Sequence, residues 1–230
     1  MVAAKPRPGP TQREFSRDTA NRAARVAEWQ LRRRRSWLLE SFVSTPPRIL
    51  AFAGSARKES LNRKLLAAVV AAVRAAGGEV TLIDLNDYPL PLYHGDLEDA
   101  QGLPANAAKL VALITEHPAL LVASPEYNSL ITPLLKNTID WCTRAEPNPF
   151  EGKVAAVVSA SPGQFGGVRS AQVARQLLLH LGCHVVPAQC TLARADEAFD
   201  DAGRLKETRA QKAVQRVAAE LVRTTARLLA

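Results

Sequence analysis

Ile49-Leu50-Ala51-Phe52-Ala53-Gly54-Ser55-Ala56-Arg57-Lys58-Glu59-Ser60-Leu61-Asn62 is the stretch whose reading decides the fold. Its first five residues are apolar without polar alternation, which predicts a short strand buried on both faces. Gly54 and Ser55 then break the pattern, and from Leu61 an Ala- and Leu-rich segment keeps helical spacing to Ala76. A buried strand running through a Gly-Ser turn into a helix is the opening of a βαβ unit.

Outward from this stretch the same alternation repeats. Apolar runs at Val80–Leu85, Ala119–Ala123, Val154–Val158 and His184–Ala188 have the length of ordinary strands. Helical segments lie between and after them at Ala105–Glu116, Pro133–Arg144, Val168–Leu181 and Lys206–Leu229, with Gly77-Gly78 and Gly182 placed as C-terminal caps. The expected fold is α/β: a doubly wound, five-stranded parallel sheet with helices on both faces. In such sheets a ligand sits beyond the carboxyl ends of the strands, where strand order reverses. The loops after the first, third and fourth strands are therefore the ones to inspect.

Composition bounds the rest. The 230 residues, 47% hydrophobic and 23% charged, suit one α/β domain with a surplus segment and exclude a disordered chain. The net charge of +8 suggests an anionic partner. Its distribution says otherwise: residues 1–47 hold 10 Lys and Arg against 4 Asp and Glu, leaving 20 against 18 for residues 48–230. The excess peaks at Arg32–Arg35, in a segment bounded by Pro6, Pro8 and Pro10 on one side and Pro46-Pro47 on the other. Ala20, Ala24, Ala27, Leu31, Leu38 and Phe42 give it a rough helical spacing. Two readings stay open for it, a solvated basic extension and a nucleic-acid arm, and the first is favoured.

Cys142, Cys183 and Cys190 form an odd set without a CxxC pair, which fits free thiols in a reducing cytoplasm. No apolar run reaches the roughly 18–20 residues of a membrane-spanning helix, and Glu40 interrupts the stretch that follows Arg34-Arg35. Neither a membrane nor a nucleic acid is expected as a partner. His94, His117, His180 and His184 lack metal-ligand spacing, and no GxSxG elbow occurs.

The loop after the first strand is built for an anion. A helix start exposes unpaired N–H groups and the positive end of the helix dipole, while Ser55, Ser60 and Asn62 add short donors and Arg57 a guanidinium. The competing reading, that Ser60 merely caps the helix, is the weaker one because topology independently puts a ligand here. GxGxxG and Gly-Lys-Ser/Thr are both absent, so a single phosphate fits better than a pyrophosphate, and FMN is the cofactor this kind of sheet holds at its switch point. After the third strand stands Ser124-Pro125-Glu126-Tyr127-Asn128-Ser129. It can be read as a plain turn or as a flavin-facing loop, with even weight. After the fourth comes Ser159-Ala160-Ser161-Pro162-Gly163-Gln164-Phe165-Gly166-Gly167, whose glycines permit close approach and whose Phe165 could lie against a ring.

Taken in order, Gly54–Asn62, Pro125–Asn128, Leu135–Trp141 and Gly163 with Gly166-Gly167-Val168-Arg169 resemble the NADPH-dependent FMN reductase family, which includes quinone, chromate and azo reductases of flavodoxin-like fold. The resemblance covers Arg48 to Leu229. It implies FMN phosphate held by Ser55, Arg57, Ser60, Leu61 and Asn62. It also implies Pro125, Glu126, Tyr127 and Asn128 along the isoalloxazine, with Ser159, Ala160, Ser161 and Gly163 at another edge. It implies hydride passing from NADPH, or NADH, through FMN to a quinone, azo, chromate or flavin acceptor, in a homodimer or homotetramer. The cofactor carries the chemistry, so no catalytic side chain is expected. Leu135–Trp141 is read as structural, supporting a dimer interface, with Lys136 and Asp140 paired along the helix. Ser129-Leu130-Ile131-Thr132-Pro133 departs from the Tyr-Ser-Val-Pro-like stretch of several relatives, at the place where acceptor specificity is expected. The alternative from another class is a non-enzymatic FMN- or nucleic-acid-associated regulator that uses the basic arm.

Overall fold

The computed structural model describes residues 45–230, which form one unit. The helical spacing expected between Ala20 and Phe42, and the Arg32–Arg35 cluster, lie outside the described residues. Among the described residues, six α-helices and six strand segments follow in chain order. They are β1 (Arg48–Ala53), α1 (Leu61–Ala75), β2 (Glu79–Leu82), α2 (Gly95–Gln101), α3 (Ala105–Glu116), β3 (Ala119–Ala123), α4 (Pro133–Cys142), β4 (Val154–Ala160), α5 (Val168–His180), β5 (His184–Val185), β6 (Cys190–Leu192) and α6 (Thr208–Leu229).

The sheet is parallel throughout and runs β2-β1-β3-β4-β5, with β6 also on β4. This is the flavodoxin-like strand order, with its reversal between β1 and β3. Period-two alternation along the buried strands divides the core between the two faces. Ile49, Ala51 and Ala53 of β1 join Leu65, Val69 and Val73 of α1 and Val217 and Leu221 of α6. Leu50 and Phe52 point the other way, to Leu110 and Ile114 of α3, Leu135 and Ile139 of α4, and Ala174 and Leu178 of α5. Two helices thus cover one face and three the other, as a doubly wound sheet requires.

The departures from expectation have local causes. The second strand stops at Leu82 rather than Leu85, because Asp84 Oδ1 accepts from the Asn86 N–H at 3.0 Å and turns the chain into a short 3₁₀ segment, Leu85–Asp87. The fifth strand is split: four residues, Val186–Gln189, stand opposite only Ala156 and Val157 before pairing resumes at Cys190. Pro187 has no N–H to give, and the Ala188 N–H goes to Glu220 Oε2 at 2.9 Å instead of to β4. Helix α2 went unseen because it buries no residue and so carries no apolar period. Trp141 is fully buried within the single chain, its Nε1 donating to Pro91 O at 2.8 Å and its ring meeting Tyr93 edge-on at 5.1 Å. Lys136 and Asp140 do pair, at 2.7 Å.

Candidate functional site

Because β1, β3 and β4 are neighbours, the loops that leave their carboxyl ends lie side by side. Gly54 continues the ladder past β1, donating to Ala123 O at 2.9 Å, and its carbonyl accepts from Thr132 Oγ1 at 2.6 Å. A Cβ on Gly54 would lie 2.8 Å from Leu135 Cβ, so the missing side chain is what lets α4 dock here. Thr132 also caps α4 by accepting from the Leu135 N–H at 3.2 Å. The sequence places Thr132 in the stretch where acceptor specificity is expected; its role here is structural, and Thr followed by Pro at the first helical position is a start signal.

Ser55 and Ser60 are both buried, while Ala56, Arg57, Lys58 and Glu59 between them are exposed. Ser60 is the N-cap of α1 and accepts from the Arg63 N–H at 3.4 Å; Ser55 accepts from the Arg57 N–H at the same distance. Each hydroxyl therefore keeps its proton free to donate outward. The N–H groups of Leu61 and Asn62, in the first turn, have no intrahelical acceptor. The nearby carboxylates are each held by a cation: Glu59 by Lys64 at 3.5 Å and Asp84 by Arg63. Asp84 is thereby spent on structure. Hydroxyls, N–H groups and a free-standing guanidinium at one helix start, with the acids neutralised, are a donor set that fits a phosphate.

Asn62 has a different employment. Its Nδ2 donates to Ala160 O at 2.8 Å and its Oδ1 accepts from the Ala160 N–H at 2.9 Å, so the amide locks the start of α1 to the end of β4. Leu61 is half-buried and packs on the α1/α6 core.

The loop after β3 is tied to α5 at several points. Ser124 Oγ meets Ser170 Oγ at 2.7 Å, and Ser170 Oγ donates to Pro125 O at 2.7 Å. Glu126 accepts from the backbone N–H groups of Arg169 (3.0 Å) and Ser170 (3.3 Å) and from Arg169 Nε (2.7 Å). Its carboxylate caps α5 from another loop, and what it could offer a ring is backbone. Arg169 stands in the sequence only as the last residue of the Gly166-Gly167-Val168-Arg169 motif and Ser170 not at all, because a cap supplied from 43 residues away leaves no local pattern. Asn128 and Ser129 both have positive φ, 52° and 68°, and Tyr127 and Leu130 exchange backbone hydrogen bonds at 3.0 Å each way. That is a two-residue reversal of the type I′ kind, for which Asn is suited. It leaves Tyr127 exposed at the tip.

β4 runs to Ala160, two residues past the expected Val158, and within it Ser159 Oγ donates to Ser124 O at 2.7 Å, tying β4 to the loop after β3 as Asn62 ties α1 to β4. Ser161 Oγ accepts from the Gly163 N–H at 3.1 Å. Gly167 caps α5 with φ +77°, and a Cβ there would fall 2.0 Å from Ser159 Oγ, so no other residue fits. Phe165 is exposed, with the Arg169 guanidinium 5.8 Å from its ring centre. The expected site residues thus fall at the carboxyl ends of β1, β3 and β4: Ser55, Arg57, Ser60, Pro125, Glu126, Tyr127, Asn128, Ser161 and Gly163 in loops, Leu61 and Asn62 in the first turn of α1, and Ser159 and Ala160 in the last residues of β4.

A parallel sheet of this strand order, with an anion-ready helix start at the carboxyl end of β1, defines the class of flavodoxin-like proteins. The family model described as NADPH-dependent FMN reductase matches residues 47–197. A relative named NAD(P)H-dependent FMN reductase, from Pseudomonas aeruginosa, is 36% identical over 169 residues, covering 73% of this chain and 89% of its own. An NADPH:quinone oxidoreductase of Arabidopsis thaliana is 34% identical, covering 79% and 93%. Among solved structures, FerB of Paracoccus denitrificans, a flavoenzyme NAD(P)H:(acceptor) oxidoreductase, superposes with a TM-score of 0.67 at 28% identity, over 79% of this chain and 98% of its own. The chain belongs to the NADPH-dependent FMN reductase family.

Proposed function

We propose that residues 48–230 form an FMN-containing, NAD(P)H-dependent oxidoreductase that passes hydride to a quinone, with azo compounds, chromate and free flavin as further acceptors. The observation that carries this reading is the helix start at Ser60, where buried hydroxyls and first-turn N–H groups stand at the carboxyl end of β1, the strand beside β3. Ser55, Arg57, Ser60 and the N–H groups of Leu61 and Asn62 would hold the phosphate of FMN. The backbone of Pro125–Asn128 and the Ser159–Gly163 loop would border its ring, with Tyr127 beside it. When bound, FMN supplies a two-electron acceptor for the nicotinamide hydride and a donor to the second substrate.

The chain's own contribution is positional. Asn62 and Ser159 hold the three loops at fixed spacing, and the ion pair of Glu126 with Arg169 keeps the ring-bordering loop against α5. Exposed Tyr127, Leu130 and Phe165 give the mouth an apolar, aromatic rim suited to flat acceptors. Relatives named NADPH:quinone oxidoreductase and quinone reductase support a quinone over the other acceptors. A cytoplasmic location and a homodimer or homotetramer belong to the same proposal. Three free cysteines support the first, and among the described residues no helix is long and apolar enough to cross a membrane.

Steady-state NADPH oxidation by the FMN-loaded chain, compared across a benzoquinone, an azo dye, chromate and free FMN, tests the acceptor. The proposal expects the highest kcat/KM with the quinone. Turnover confined to free FMN would replace it with a flavin reductase.

A further inference from the structure

A basic trench runs along the outer edge of the sheet, between β6 and the first turns of α6. It measures about 700 Å³ and is lined by Gln164, Gln189, Thr191, Arg209, Lys212 and Arg216, among others. A second groove of about 360 Å³ continues it, sharing Leu192, Ala193, Glu207 and Ala210 and adding Arg194, Lys206 and Glu197. Five cations thus face two carboxylates along its length. Arg209, Lys212 and Arg216 are exposed at helical spacing on one face of α6, and among the described residues none of the three forms an ion pair. Unpaired like charges on one helix face repel one another, which a bound anion would relieve.

The trench adjoins the candidate flavin site through a shared wall. The Ser161 N–H donates to Leu192 O at 3.1 Å, and the Arg194 N–H donates to Gly163 O at 3.3 Å. A Cβ on Gly166 would lie 2.8 Å from the backbone of Thr191, Leu192 and Ala193, so the loop after β4 is pressed flush on that wall. One side of the loop borders the proposed ring site, and Gln164, on the same loop, opens into the trench. A ligand that puts a flat ring at the first and carries phosphates some way off could occupy both.

Resting on the reductase reading, we infer that this trench receives the adenosine end of the electron donor, and that Arg209, Lys212 and Arg216 recognise the 2′-phosphate that distinguishes NADPH from NADH. The charge suits it: NADPH carries a pyrophosphate and a phosphomonoester, and Gln164 and Gln189 supply amides for the sugar and base. These cations lie on the C-terminal helix, past residue 197, where the family match ends.

The test uses the full-length, FMN-loaded chain and the variant R209Q/K212Q/R216Q. All three side chains are exposed, so the fold is expected to survive, and an unchanged thermal midpoint verifies it. Calorimetric titration with adenosine 2′,5′-bisphosphate reads the trench without turnover. The expected result is binding to the parent, about tenfold weaker binding to the variant, and recovery in the charge-retaining R209K/R216K chain. In kinetics, KM for NADPH should rise about tenfold in the triple variant with kcat unchanged, while KM for NADH moves much less. Failure of the bisphosphate to bind the parent, or equal binding to parent and triple variant, overturns the inference. So does preferential binding of a single-stranded oligonucleotide, which would make the trench a nucleic-acid surface. Binding of the bisphosphate by a chain that does not oxidise NADPH would keep the anion site and sink the reductase reading instead.

Discussion

Glu126, in the loop after β3, closes the N-terminus of α5 through Arg169, taking both its backbone N–H (3.0 Å) and its Nε (2.7 Å). Burial by itself would raise this carboxyl, but the hydrogen bonds from Arg169 and Ser170 outweigh it and hold the group below its ordinary value. A carboxylate with a depressed folded pKa stabilises the fold fully above the unfolded carboxylate range and loses that effect as pH falls through the folded value. Glu126→Gln should therefore cost about 1 kcal/mol near neutral pH, the worth of a helix cap. The gap between parent and variant should close in acid. Urea unfolding at pH 7 and at pH 3 checks this, and a gap that persists at pH 3 would assign the effect to packing.

Asn62 and Ser55 occupy one loop but are expected to fail differently. Asn62→Ala strips both hydrogen bonds from the buried backbone of Ala160, so the protein without flavin should lose about 2–3 kcal/mol. Ser55→Ala and Arg57→Ala remove outward donors and should leave unfolding nearly unchanged while weakening FMN binding about tenfold each. Fluorescence titration with FMN, beside a denaturant melt for each variant, separates strut from ligand contact. If Asn62→Ala were as stable as the parent and lost only FMN affinity, the assignment of Asn62 would be reversed.

Gly167 admits no side chain. With φ +77° and Ser159 Oγ 2.0 Å from any Cβ, Gly167→Ala should cost about 2 kcal/mol or more and release the loop after β4. The double variant Gly167→Ala with Ser159→Gly removes the collision but not the strained φ, and should recover only part of the thermal midpoint. Full recovery would show that the clash alone fixes this position.

The thiols should be silent. Burial pushes Cys142 and Cys183 up to about 12 and Cys190 to about 11, with Lys153 and Arg216 only partly offsetting it for the latter two. At pH 8 the thiolate fraction is on the order of a thousandth or less, and all three sulfurs are buried. A disulfide reagent added to native protein should label slowly, and three thiols should react at once in denaturant. Rapid labelling of one native cysteine would contradict the buried placement.

The fold was legible because the strands β1, β3 and β4 are buried on both faces and so read as unbroken apolar runs, and because helices α1, α3, α4, α5 and α6 carry apolar stripes. What escaped notice lacks such a period: α2 buries nothing, and Pro187 splits the last strand by withholding one N–H. The site was legible as positions, since topology names three loops. It was not legible as roles. Short polar side chains at a helix start suit a phosphate and suit loop bracing equally well, and only the partners of Asn62 and Glu126 distinguish the two uses.

In the proposed reductase the loops after β1, β3 and β4 hold FMN in reach of the donor. The visible absorption spectrum of the FMN-loaded full-length chain, recorded without oxygen before and after adding NADPH, tests it most directly. The prediction is a protein-bound flavin band that bleaches on addition of NADPH and returns when a quinone is added. A chain that retains no flavin after gel filtration, or whose bound flavin stays oxidised under excess NADPH, would contradict it.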